Sequence, residues 1–171
     1  MDKITESYFN KDKYIGPIKN GLRNGKGIYY FSQGHRYEGE FIEGRIEGKG
    51  IYYYANGDRY EGEIKNGNIQ GKGNYYFSNG DRYEGEWKEG KKDGFGIIYF
   101  NNGDKFKGLW KNDVKEGKGI YIYKNGKKCE GEWKNNKLVK IYKYNYILIF
   151  SILSLFILIY LSINLSYFKK F

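Results

Sequence analysis

The chain has 171 residues, including 25 glycines, 20 tyrosines, 11 phenylalanines and 3 tryptophans, with a formal net charge of +10. An aromatic share of 20% excludes a disordered polar segment or a flexible linker, despite a mean hydropathy of -0.78. A single cysteine and a single histidine exclude an internal disulfide framework and a cysteine-based zinc site, and leave little for acid–base chemistry.

The N-terminal stretch, Met1 to Asn10, carries acids and no apolar run, so it does not read as a signal peptide. Asn10-Lys11-Asp12-Lys13 echoes a pattern that recurs downstream, which suggests a capping strand between Tyr8 and Lys13 and an N-terminal cap over 1–13. From residue 14 the chain falls into register at a period of 23, with blocks beginning at Tyr14, Tyr37, Tyr60, Tyr83, Phe106 and, truncated, Cys129. All 25 glycines then stand in five columns, represented in one block by Gly62, Gly67, Gly71, Gly73 and Gly80. Five full repeats and one partial repeat thus occupy 14–136.

Each block reads as a β-hairpin. In Tyr83-Glu84-Gly85-Glu86-Trp87 the rings and the glycine share one face and the glutamates the other. The second strand, as in Gly50-Ile51-Tyr52-Tyr53-Tyr54, has the β-branched and aromatic residues that strands favour. Asn56-Gly57, Asn79-Gly80, Asn102-Gly103 and Asn125-Gly126 predict type I′ turns with positive φ at both positions. Rings are expected to lie over the side-chain-free first and fourth glycine columns. Tyr37, Tyr60, Tyr83, Trp87, Trp110 and Trp133 mark that aromatic face, a candidate contact surface. The fold class is therefore all-β: an elongated, twisted antiparallel sheet of consecutive hairpins. Eleven or twelve strands would make it about 50–55 Å long.

The run Tyr-Glu-Gly-Glu-Trp, with its spaced glycines and Asn-Gly-Asp-Arg, resembles the MORN (membrane occupation and recognition nexus) repeat, from residue 14 to about 134 and best over Tyr37 to Arg82. Later blocks depart from it. Asp113 and Asn136 replace the second-column glycine, Lys107 and Leu109 replace the glutamates, and Cys129 replaces the leading tyrosine. The resemblance implies a structural module near membranes, engaged in lipid contact or self-association.

A juxtamembrane segment over 137–145 precedes an expected transmembrane helix over 146–167 and a short tail over 168–171. Ile147 to Leu165 carries no charge, and its length at about 1.5 Å per residue matches a hydrocarbon core of about 30 Å. Tyr142, Tyr144, Tyr146, Tyr167 and Phe168 suit interfacial belts. The expected topology is a single-pass tail anchor with the repeats facing the cytosol, the positive-inside side given by Lys134, Lys137, Lys140 and Lys143.

Those four lysines are the first candidates for lipid contact, at about 1 kcal/mol each on an anionic leaflet. Arg36, Arg59, Arg82, Lys105 and Lys128 form a weaker candidate edge, which reads first as ion pairing with the glutamate row and edge protection. Interleaved glutamates argue against nucleic acid as a partner. His35 stands in the column of Asp58, Asp81 and Asp104 and reads as a turn substitution, while Cys129 fills a packed ring position. No nucleophile–base pair, metal set or cofactor motif emerges. The expected function is a non-enzymatic, membrane-anchored scaffold or tether that contacts anionic phospholipids or protein partners. The alternative is a protein-interaction or self-association module held on an organelle surface.

Overall fold

The structure, a computed structural model, describes residues 4–7, 11–142 and 160. In chain order its strands are β1 (Ile4–Ser7), β2 (Lys13–Gly16), β3 (Ile18–Lys19), β4 (Leu22–Arg23), β5 (Gly25–Tyr30), β6 (Arg36–Ile42), β7 (Arg45–Tyr53) and β8 (Arg59–Lys65). They continue as β9 (Asn68–Tyr76), β10 (Arg82–Lys88), β11 (Lys91–Tyr99), β12 (Lys105–Lys111), β13 (Val114–Ile122), β14 (Lys128–Lys134) and β15 (Lys137–Ile141). Thirteen of them form one sheet in the order β1-β2-β5 and then consecutively to β15, each antiparallel to its neighbours. Strands β3 and β4 form a separate pair. Pro17, between β2 and β3, has no N–H to give to a ladder, so the first block splits where later blocks run unbroken.

The hairpin reading holds, with three differences. The main sheet has thirteen strands among the described residues rather than eleven or twelve. Its first strand lies at Ile4–Ser7, inside the expected cap but ahead of the capping strand suggested between Tyr8 and Lys13, and its last, Lys137–Ile141, lies inside the segment expected to be a juxtamembrane linker.

The third difference concerns the turns. The two-residue I′ loops sit at the other end of each hairpin: Glu43 and Gly44 have φ of 48° and 82°, and Asn112 and Asp113 have 47° and 70°. At Asn56-Gly57 only the glycine is left-handed, at φ 90°. There Gly57 N–H donates to Tyr54 carbonyl (3.0 Å), and Asp58 N–H donates to Asn56 Oδ1 (3.0 Å). This is the longer loop, a type I turn followed by one left-handed residue, with asparagine acting as a local acceptor.

Ring cover of the glycine columns is as expected. Tyr14, Tyr37, Tyr60, Tyr83 and Phe106 are 0% exposed and lie flat over their own strand and the next, so a Cβ on Gly62 or Gly73 would run into Tyr60. The Tyr60 hydroxyl donates to Glu63 carbonyl (2.9 Å), which keeps its polar tip satisfied in the core. Trp87 is edge-on to both Tyr60 (5.6 Å) and Tyr83 (5.1 Å), and its Nε1 donates to Gly73 carbonyl (3.1 Å). Trp110 repeats this between Tyr83 and Phe106. Each block is thereby keyed to the one before it, and among the described residues the thirteen-stranded sheet buries its core on its own ring-bearing face.

The chain divides after Ile141. Of the second unit only Tyr142 and Tyr160 are described, so the expected span over 146–167 falls, Tyr160 aside, outside the described residues. Among the described residues no helix is long and apolar enough to cross a membrane.

Candidate functional site

The period-2 alternation that buries the rings presents everything else on the opposite face. There the cross-strand register builds three parallel rows. Along the rim, Tyr30, Arg36, Tyr53, Arg59, Tyr76, Arg82 and Tyr99 are successive neighbours on successive strands. The next row is Ile28, Glu38, Ile51, Glu61, Asn74, Glu84 and Ile97. In the third, Lys26 faces Glu40, Lys49 faces Glu63 and Lys72 faces Glu86. A groove of about 1130 Å³ runs across β2 and β5 to β11 over the second and third rows, with Ile28, Ile51, Asn74 and Ile97 in its lining.

The rim is held from within. The Arg36, Arg59 and Arg82 guanidinium groups lie 4.1, 4.2 and 4.2 Å from the ring centres of Tyr53, Tyr76 and Tyr99. The same arginines pair with Glu38 (3.0 Å), Glu61 (3.7 Å) and Glu84 (3.2 Å). Of the five residues of the basic edge, these three are therefore engaged in ion pairs and ring stacking. Lys105 and Lys128 continue the row, exposed, on either side of Ile122. In the fourth and fifth blocks the Lys/Glu ladder gives way to Phe95 opposite Leu109, both 43% exposed.

Of the four lysines expected beside the membrane, Lys134 and Lys137 face each other in the last hairpin and Lys140 faces Glu132. All three are exposed, and Lys143 lies outside the described residues. The aromatic candidates are core: Tyr37, Tyr60 and Tyr83 are 0% exposed, with Trp87 at 6%, Trp110 at 5% and Trp133 at 8%. They hold the groove's shape from behind and offer no contact surface.

Turn carboxylates link the blocks. Asp58 Oδ1 accepts Ser78 N–H (2.8 Å) and its Oδ2 accepts the Tyr75 hydroxyl (2.7 Å), both from the following block. Burial pushes the Asp58 carboxyl up, and the Ser78, Tyr75 and Asn56 hydrogen bonds together outweigh that and hold it below its ordinary value. Asp104 does the same for Lys124 and Tyr121, and its carboxyl is lowered by those bonds. His35 takes this part with a nitrogen: Ala55 N–H donates to His35 Nδ1 (3.0 Å), in agreement with its reading as a turn substitution.

Two lysines escaped the sequence reading. Lys92 and Lys115 occupy the column of Ile46, Ile69 and Leu138 on the aromatic face. Lys115 Nζ lies 4.7 Å from the Phe106 ring centre and 5.2 Å from that of Trp133. Burial pushes its amine down, and the nearby Lys92 charge adds to this. Burial likewise lowers Lys92, partly countered by Asp113. At the 23-residue period both stand with Arg23 as charges in a column that otherwise holds Ile46, Ile69 and Leu138, a signal present in the sequence. Charge is also uneven, since residues 106–128 hold seven lysines against Asp113 and Glu116. Among the described residues no group of three or more histidine, cysteine, aspartate or glutamate side chains could hold a metal ion.

A family model described as "MORN repeat" matches residues 14–36, 37–59, 60–82, 83–105, 106–128 and 129–139. No curated protein matches the chain. Among solved structures the chain is similar to the SAS-4 (dCPAP) TCP domain of Drosophila melanogaster, in complex with a proline-rich motif of Ana2 (dSTIL), at 17% identity and a TM-score of 0.40. That likeness covers 82% of this chain and 90% of the other, and at such a score nothing about this chain's ligands follows from it.

Proposed function

The chain belongs to the MORN-repeat family, and on that premise we propose a non-enzymatic scaffold or tether, held at a membrane by its C-terminal segment, whose repeat sheet binds a partner protein. The observation that carries the protein-binding part is the groove: a preformed, open channel of about 1130 Å³ across most of the sheet, in whose floor Ile28, Ile51, Asn74 and Ile97 alternate with glutamates. A photo-crosslinking side chain at Ile51 or Ile97 of the full-length chain, expressed in cells, tests it. Adducts should form from these two positions and not from Asn66, at the hairpin tips. Equal or absent adducts at the groove positions refute the groove as the partner site.

Membrane attachment rests on the uncharged run Ile147 to Leu165, with the repeats on the cytosolic side. The exposed Lys134, Lys137 and Lys140, and the lysine-rich fifth block, favour contact with anionic phospholipid as a second role. A fluorescently tagged full-length chain should mark a membrane and lose it when residues 144–171 are removed; a diffuse signal from both sinks the anchor. Flotation of the full chain with anionic but not neutral liposomes tests the lipid role.

A further inference from the structure

The groove face is striped by strand. Ile28 and Tyr30 share β5, Ile51 and Tyr53 share β7, Asn74 and Tyr76 share β9, and Ile97 and Tyr99 share β11. Between them β6, β8 and β10 present the Arg–Glu pairs Arg36–Glu38, Arg59–Glu61 and Arg82–Glu84, and beyond these Glu40, Glu63 and Glu86. An occupant laid across the strands thus meets an aliphatic or amide floor residue and a tyrosine at every second strand. At about 4.8 Å between strands, this pattern repeats every 9.6 Å or so.

Few peptide conformations match that repeat. A polyproline II helix advances about 9.3 Å per three-residue turn. Over the three intervals from Ile28 to Ile97 it would drift by about 1 Å. An α-helix reading one residue per heptad advances about 10.5 Å and drifts by about 3 Å over the same path. An extended strand presents one face every 6.8 Å or so and loses register within a single interval.

The arginines are paired, while Lys49 and Lys72 stand opposite Glu63 and Glu86 in the register. Beside these charges the face presents apolar and aromatic surface, with each of Tyr53, Tyr76 and Tyr99 already fixed by a stacked arginine. A polyproline II backbone makes no internal hydrogen bonds, so its carbonyls are free to accept from donors at the groove's edge. Lys26, Lys49 and Lys72 supply such donors, exposed and at the same two-strand interval.

From this geometry we propose that the groove takes a proline-rich segment in the polyproline II conformation, laid across the strands with one peptide turn per hairpin. The prolines pack on Ile28, Ile51 and Ile97, beside the adjoining tyrosine row. This rests on the groove being the partner site, and it adds the chemistry of the partner.

The test is fluorescence anisotropy with the full-length chain in nonionic detergent. Three labelled probes of equal length, about twelve residues, are compared: a proline-rich peptide with proline at every third position, the same peptide with glycine for proline, and an alanine-rich helix with leucine at heptad spacing. The proline-rich probe should bind about tenfold more tightly than either other, and affinity should climb with each added turn and level off near four turns. Ile51→Lys and Ile97→Lys should each weaken it about tenfold, with unchanged circular dichroism. Equal binding of the proline and glycine probes overturns the proposal, as does affinity that is blind to peptide length. If the helical probe wins and the two lysine variants abolish it, the groove stands as a partner site and only its proline-rich occupant is refuted. If no probe responds to either variant, both readings fall.

Discussion

Gly62 and Gly67 lie in one hairpin and are required to be glycine by different physics, so the same substitution at each separates two reasons for a glycine. A Cβ on Gly62 would meet the Tyr60 hydroxyl, the Gly73 Cα at 2.5 Å and the Lys72 carbonyl oxygen at 2.6 Å. Two of these are backbone atoms, so no rotamer change relieves them. Overpacking of this kind costs about 1–3 kcal/mol. Shifting the Tyr60 ring also loses its hydrogen bond to Glu63, about 1 kcal/mol more. Gly67 has nothing within 4 Å, and only its φ of +76° opposes a side chain, at about 1 kcal/mol. At about 3 °C per kcal/mol for a chain of this size, Gly62→Ala should lower the melting temperature by about 10 °C and Gly67→Ala by about 3 °C. Far-UV circular dichroism of the full-length chain in detergent reads both. If Gly67→Ala costs as much as Gly62→Ala, ring cover is not what the first glycine column is for.

His35→Asp should raise stability by about 1 kcal/mol, because a second carboxylate oxygen could take the Tyr52 hydroxyl as Asp58 takes that of Tyr75; thermal melts showing no gain would refute the shared role of that column. Lys115→Ile should also stabilise, by about 1 kcal/mol, since it exchanges a desolvated amine for the aliphatic residue of its column. A loss of that size would mean that the rings around Lys115 repay its burial. Burial pushes the Tyr37 and Tyr54 hydroxyls up to about 12 in the folded chain. Their folded values lie above the unfolded value of about 10, so their contribution is complete below about pH 10 and is lost as pH rises towards 12. Phenolate absorbance and circular dichroism should then change together across that window; full tyrosine ionisation with the sheet intact would contradict it. At the acid end the signs reverse. The lowered carboxyls of Asp58 and Asp104 contribute fully above the unfolded carboxylate value of about 3.9, and that stability is lost as pH falls through their folded values. A melting temperature flat from pH 5 to about pH 2 would exclude the aspartate ladder as a source of stability.

The hairpin repeat, its period and the assignment of residues to faces were determined by the amino-acid sequence alone. The reason is local: strands alternate with period two, and a glycine under a ring leaves a gap that recurs at fixed spacing, as at Gly62 and Gly73 beneath Tyr60. Turn type was less accessible. Asn56-Gly57 and Glu43-Gly44 both have glycine second, and loop length, set by the pairing of Tyr53 with Arg59 in one case and Ile42 with Arg45 in the other, decides which one takes the I′ geometry. The groove was not legible at all, because its rows join residues from seven strands and appear only once the register is known. The tertiary structure likewise decided between the two readings of the arginine edge, since Arg36, Arg59 and Arg82 are stacked on tyrosines and paired with glutamates. It turned the tyrosines and tryptophans of the aromatic face from a contact surface into the core. Whether a side chain is buried depends on what the neighbouring block lays over it, and that is a property of the assembled sheet, which no single repeat contains.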